Sequence, residues 1–141
     1  MRRLFAFLVV CLIGPAIPAD GQPSTNAIRL ELSLLEPQEN ACRAYLTMEN
    51  RTDIDLGAIR LDLFLFGADQ TILRRVAVAS RRIRPQQTRV LVFDVPEVAC
   101  DRVGRMLLNG VLACQEHGGR LREDCEDMLR TSSRVRVPLV H

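Results

Sequence analysis

The sequence predicts an all-β fold: an antiparallel β-sandwich of about seven short strands, with a short helix inserted before the last strand. Three observations lead there. Apolar and polar residues alternate with period two in run after run. Turn signals rich in Pro, Gly, Asn and Asp recur at spacings of about a dozen residues. Beyond the N-terminal segment stand Cys42, Cys100, Cys114 and Cys125, an even number suited to disulfides.

The 141 residues suit one domain preceded by an export segment. Met1-Arg2-Arg3 is a short positive start, and Leu4 to Ile13 is an uncharged apolar run. Gly14 and Pro15 break any helix, and the small residues that follow suit a cleavage site. Residues 1–19 therefore read as a cleavable signal peptide, with the cut between residues 19 and 22. The apolar run of about ten residues is half of what a spanning helix needs, so no transmembrane segment is expected after cleavage. Arg2-Arg3-Leu4-Phe5 partly matches a twin-arginine signal, which keeps that route beside general secretion. Cys11 follows Val9 and Val10 inside the apolar run, not the small residue a lipid-attachment cysteine requires. The expected location is the periplasm or the exterior.

Residues 20–26 are polar and read as a flexible start, and 27–141 as the sandwich. Ile28, Leu30, Leu32 and Leu34 alternate with Arg29, Glu31 and Ser33 in a half-buried strand that Pro37 ends. Cys42, Ala44, Leu46 and Met48 make the inner face of a second strand, and residues 50–55 a polar turn. Ile59, Leu61, Leu63 and Leu65 form a third, with Arg60, Asp62, Phe64 and Phe66 on its other face. Gly67-Ala68-Asp69-Gln70 is a hairpin turn. Ile72, Arg74, Val76 and Val78 give a weaker fourth strand. Thr88 to Val95 is a fifth, apolar on both faces and so expected to be well covered. Residues 97–103 are a short turn or an extended corner. Residues 104–114 are a sixth strand in which Gly110 signals a bulge. Glu123 to Thr131 reads as two turns of helix, and Val135, Val137 and Leu139 as the last strand.

Hydrophobic residues at 48% and charged ones at 26% exclude a disordered chain. The formal charge is +2, and all 19 basic residues are arginine. Arg2 and Arg3 leave with the signal, so 17 arginines then face 17 acids. That balance offers no electrostatic footprint for nucleic acid. The charges are nevertheless segregated. Residues 70–93 hold Arg74, Arg75, Arg81, Arg82, Arg84 and Arg89 and no acid. This basic strand pair suits an anionic partner, such as a phosphorylated envelope lipid or an acidic protein surface. Edge protection and internal pairing with acids are the competing uses.

No nucleophile motif, P-loop, dinucleotide fingerprint or H-E-x-x-H occurs, and S-x-x-K cannot occur without lysine. No cofactor is therefore expected. Cys114-Gln115-Glu116-His117, with Cys125 nearby, has metal-ligand residue types but no C-x2-C pair. Glu123, Asp124, Glu126 and Asp127 read as a solvated face near a helix start. Asn50-Arg51-Thr52 matches a glycosylation acceptor.

Two resemblances follow from particular residues. Glu49-Asn50, then Ile59-Arg60-Leu61-Asp62-Leu63-Phe64-Leu65-Phe66, a polar turn, and Ile83-Arg84-Pro85-Gln86-Gln87-Thr88 together resemble the immunoglobulin-like modules of bacterial envelope proteins. Leu35-Glu36-Pro37, Ala41 to Leu46, Phe93-Asp94, Ala99-Cys100-Asp101, Leu112-Ala113-Cys114 and Asp124-Cys125 resemble a family of small exported alphaproteobacterial proteins. These resemblances imply an immunoglobulin-like sandwich and export, and supply no catalytic residue.

Four cysteines allow three pairings. If seven strands alternate up and down, strands two and six run the same way. Cys42 at the start of one and Cys100 just before the other then share an end of the sandwich. That selects Cys42–Cys100 and Cys114–Cys125. The functional expectation is a non-catalytic interaction or assembly module of the periplasm or exterior, its partner an envelope protein or anionic envelope component. The alternatives are a metal- or redox-handling envelope protein using Cys114, His117 and Cys125, and a hydrolase whose site has no recognisable motif.

Overall fold

A computed structural model describes residues 26–141; the expected signal peptide lies outside them. In β2 (Ala41–Asn50), Cys42, Ala44, Leu46, Met48 and Asn50 are fully buried and the residues between them are half-buried. In β3 (Leu56–Gly67), Leu56, Ile59, Leu61, Leu63 and Leu65 are fully buried. These strands line the inner faces of two packed sheets, where period-two alternation puts one side chain in two into the core.

The first sheet has the order β5-β2-β1-β7 and the second β4-β3-β6-β8. The remaining strands are β1 (Ile28–Gln38), β4 (Ile72–Ala79), β5 (Thr88–Pro96), β6 (Val103–Glu116), β7 (Leu129–Ser133) and β8 (Leu139–Val140). The central pairings are antiparallel, whereas β7 runs parallel to β1 and β8 parallel to β6. The chain is an immunoglobulin-like β-sandwich of eight strands: β7 is built from residues at and just past the end of the expected helix, and of the expected last strand only its end pairs, as β8. Constant-type immunoglobulin domains place the fourth strand beside the fifth. Here it lies beside β3, so β4 and β5 form corresponding edges of opposite sheets and are not a hydrogen-bonded pair.

Several boundaries and faces depart from the sequence reading. A bulge at Ser33 changes the parity of β1, and Leu34 turns outward to 45% exposure. Pro37 continues the strand, because β7 covers only Ile28 to Leu32 and leaves the edge there without a partner for the missing N–H. A register shift at Leu73 exposes Ile72, while Leu73 packs against the core. The expected two-turn helix is the four-residue α1 (Cys125–Met128), since Leu129 to Ser133 pair with β1 instead. Val135 and Val137 touch the core from irregular backbone. Gly110 lies between two register shifts of β6, the expected bulge. β5 is not covered on both faces: Val90 and Val92 are 57% and 53% exposed.

Both disulfides pair as the strand directions require. Cys42–Cys100 has a Cα separation of 4.8 Å and Cys114–Cys125 one of 6.4 Å. They staple opposite ends of the sandwich, and their presence indicates an oxidising environment. Among the described residues no helix is long and apolar enough to cross a membrane.

Close approach of β3 to the end of β6 makes one glycine obligatory. A Cβ on Gly57 would stand 2.7 Å from the Glu116 carbonyl oxygen. Gly57→Ala should cost about 2 kcal/mol by forcing these strands apart, read as a lowered urea midpoint with an unchanged m-value.

Candidate functional site

The basic segment runs up β4, through the loop 80–87 and back along β5, on one lateral side of the sandwich. Its six arginines do different things. Arg74 reaches from one sheet to the other, donating to the Pro96 carbonyl at 2.9 Å and to the Glu97 carboxylate at 2.5 Å. Arg75 grips Asp62 through two nitrogens, at 2.7 and 3.2 Å, with its guanidinium 5.5 Å from the Phe64 ring centroid. Arg82 makes the same fork with Asp55, at 2.9 and 2.6 Å. Arg89 donates to the Arg82 carbonyl at 2.6 Å and closes the gap between β5 and the loop. Arg81 and Arg84 are exposed and form no ion pair among the described residues, Arg84 only adding to the field of Arg82 that holds the Asp55 carboxyl below its ordinary range.

The loop that carries these two is well ordered by local bonds. The Arg84 amide donates to the Gln87 side chain at 3.0 Å, and the Gln87 amide returns to the Arg84 carbonyl at 3.1 Å. Gln86 takes a positive φ of 60° at the turn. The Gln86 amide and the Gln87 carbonyl bond to the main chain of Asn50. Ile83 exchanges main-chain bonds with Leu56 and is fully buried, which anchors the loop while its neighbours on either side face solvent.

Asp62 is the acid that period-two reading places on the outer face of β3. Its side chain is only 3% exposed, because Arg75 and Asn109 cover it. The fork from Arg75, with the Asn109 amide at 2.9 Å, holds its carboxyl below the usual carboxylate range against the opposing effect of burial. A carboxyl depressed in the folded state stabilises the fold above its unfolded pKa, about 3.9. That contribution is lost as pH falls through the lower folded value. Asp62→Asn should therefore flatten the acid limb of a plot of urea midpoint against pH, relative to wild type.

The Cys114, His117 and Cys125 set is not assembled as free ligands. The two sulfurs are bonded to each other. His117 donates its amide to the Asp55 carbonyl at 2.8 Å and lines a cavity of about 330 Å³ with Asp55, Glu116 and Arg122. Glu116 receives both Arg120 and Arg122, and Arg122 also bonds Asp124, so the cavity wall is a charge-balanced network. Among the described residues no group of three or more His, Cys, Asp or Glu is placed to hold a metal ion. The four acids expected on one helix face are scattered. Asp124 serves Arg122, Glu126 accepts the Val111 amide at 3.0 Å on the edge of β6, and Glu123 and Asp127 face solvent.

A larger cavity, about 520 Å³, lies at the Cys42–Cys100 end between the β1–β2 turn and the segment 97–99. It presents Glu39 and Glu97, the latter already engaged by Arg74.

No family model matches the chain, and no curated protein matches it in sequence. Among solved structures it is similar to IrmA from Escherichia coli, at 14% identity and a TM-score of 0.59, over 82% of this chain and 97% of that one. At that identity the likeness concerns the fold alone.

Proposed function

We propose that this chain is a non-catalytic interaction module, exported to the periplasm or beyond, that meets an anionic partner through the β4–β5 loop. One observation carries the reading: Arg81 and Arg84 are exposed without acid partners on an ordered loop, while the other four arginines of the segment are engaged within the fold. A guanidinium held on a fixed backbone loses little freedom on binding and presents its fork to a carboxylate or phosphate. The sequence-level patch of Arg74, Arg75, Arg81, Arg82, Arg84 and Arg89 narrows on this reading to two contact residues. Export is supported by the two disulfides and by the signal-like residues 1–19. The resemblance to small exported alphaproteobacterial proteins points the same way.

Affinity capture from envelope extracts tests the proposal. The double variant R81Q/R84Q should lose the salt-sensitive partners that wild type recovers, while its disulfides and denaturation midpoint stay unchanged. Recovery of the same partners by the double variant would overturn it.

A further inference from the structure

The two lateral sides of the sandwich are built differently. On one side the edges are β7 and β8, five and two residues long. On the other they are β4 and β5, eight and nine residues long. Short strands are a common protection against edge pairing, and charged side chains are another. β4 carries Arg74 and Arg75, but the centre of β5 reads Val90-Leu91-Val92-Phe93 and carries no charge. Leu91 is buried, while Val90 and Val92 are more than half exposed beside a free edge.

The hydrogen bonds at both ends of β5 establish which main-chain groups are free. Asn50 donates to the Gln87 carbonyl at 3.0 Å and Glu97 donates to the Asn40 carbonyl at 2.8 Å. Odd-numbered residues therefore turn their N–H and C=O toward β2. Even-numbered residues turn theirs outward, and the Pro96 carbonyl, taken by Arg74, points that way. Thr88, Val90, Val92 and Asp94 thus present a row of unpaired donors and acceptors. The row ends at Pro96, which has no N–H to offer.

We infer that β5 pairs antiparallel with β5 of a second copy of this chain, about a two-fold axis at Leu91. In that register Val90 lies opposite Val92 of the partner and Thr88 opposite Asp94, and each such pair exchanges both main-chain bonds. The exposed valines then cover one another, which is the cross-strand contact that stabilises sheets. Centring on Val92 instead would set Thr88 against Pro96 and lose a donor. Centring on Val90 would set Asp94 against Gln86, outside the strand. The self-complementarity of the strand selects a second copy as occupant over a foreign peptide. The inference is independent of the arginine loop.

Sedimentation equilibrium of the disulfide-intact chain from about 1 to about 200 µM tests it, since a contact of this size suits a weak, reversible dimer. The mass should rise toward twice that of the monomer, and the amides of Val90 and Val92 should become protected from exchange on the order of tenfold as the dimer fills. V90K/V92K sets ammonium against ammonium across the axis and should remain monomeric throughout. Both side chains lie outside the core, so its denaturation midpoint should match wild type. S132K, on the far edge, and R81Q/R84Q should both still dimerise. A wild type that stays monomeric, an unchanged dimer in V90K/V92K, or association without protection of those two amides would each overturn the inference.

Discussion

Replacing Asn50 with alanine should lower the stability of the domain by about 3 kcal/mol, the expected cost of leaving several buried polar groups without partners. Asn50 is fully buried at the end of β2. Its Nδ2 donates to the carbonyls of Ile54 at 2.8 Å and Ile83 at 3.0 Å. Its Oδ1 accepts from the amide of Thr52 at 3.0 Å and from the Thr52 hydroxyl at 2.6 Å. One side chain thus satisfies both connections at this end of the sandwich, the β2–β3 turn and the β4–β5 loop. Alanine leaves the half-buried Ile54 carbonyl and the buried Thr52 amide and hydroxyl without that partner, and takes one of two donors from the Ile83 carbonyl, which keeps the Leu56 amide. Chemical denaturation gives the difference directly. A loss below about 1 kcal/mol would mean that the two loops hold themselves.

Asn50→Asp separates the two halves of this role. Aspartate keeps an acceptor for Thr52 but turns a carboxylate toward two carbonyl oxygens, which raises its folded pKa. A raised carboxyl pKa contributes stability below the unfolded value and loses it as pH climbs through the folded one. The variant should therefore be more stable near pH 4 than near pH 7, relative to wild type. The same geometry removes Asn50-Arg51-Thr52 from consideration as a modified site in the folded protein, because the amide nitrogen is buried and both its protons are engaged.

The second large effect belongs to Cys42–Cys100, whose partners are 58 residues apart. Cys42→Ala with Cys100→Ala should cost about 4 kcal/mol by the chain-entropy model, against about 3 kcal/mol for the 11-residue separation of Cys114–Cys125. The consequences should differ in kind as well as size. Cys42 lies within β2, against the core, and is fully buried, so its bridge ties the first sheet to the segment that enters β6. Its loss should lower the global unfolding midpoint. Cys114–Cys125 anchors the insertion between β6 and β7, where ion pairs to Glu116 also hold the chain. Its loss should appear first as faster amide exchange and proteolysis within residues 117–124. Intact mass of the purified protein should rise by four hydrogens on reduction, two for each bridge. The absence of a four-hydrogen difference would remove the premise.

Much of the frame was legible before any coordinates. β2 and β3 keep strict parity over their central residues, so counting by twos finds their buried faces. The disulfide pairing also followed from strand direction, because an even number of reversals separates β2 from β6. The roles of individual polar side chains were less legible. Asp62 was visible as a charge in an apolar run, but its burial depends on Arg75 from β4 and Asn109 from β6, both distant in sequence. Asn50 showed only a modification motif, since its partners Ile54 and Ile83 are main-chain carbonyls that any residue supplies. The arginine segment was visible as a block, yet not which members are engaged. Asp55 and Glu97 reach two of them from other strands and turns.

The alternation along each strand, the turns between strands, the cysteine count and the charge split can all be read from the residues alone. These depend on neighbours one to four residues away, where backbone geometry permits few choices. The packing of the strands set the bulges at Ser33 and Leu73, the pairing of Leu129 to Ser133 with β1 in place of a longer helix, and the placement of β4 and β5 in opposite sheets. Each of these depends on which strand lies alongside. The exposure of Val90 and Val92 is the plainest case. An apolar strand reads the same in the middle of a sheet as at its edge, and only the missing neighbour makes β5 an edge.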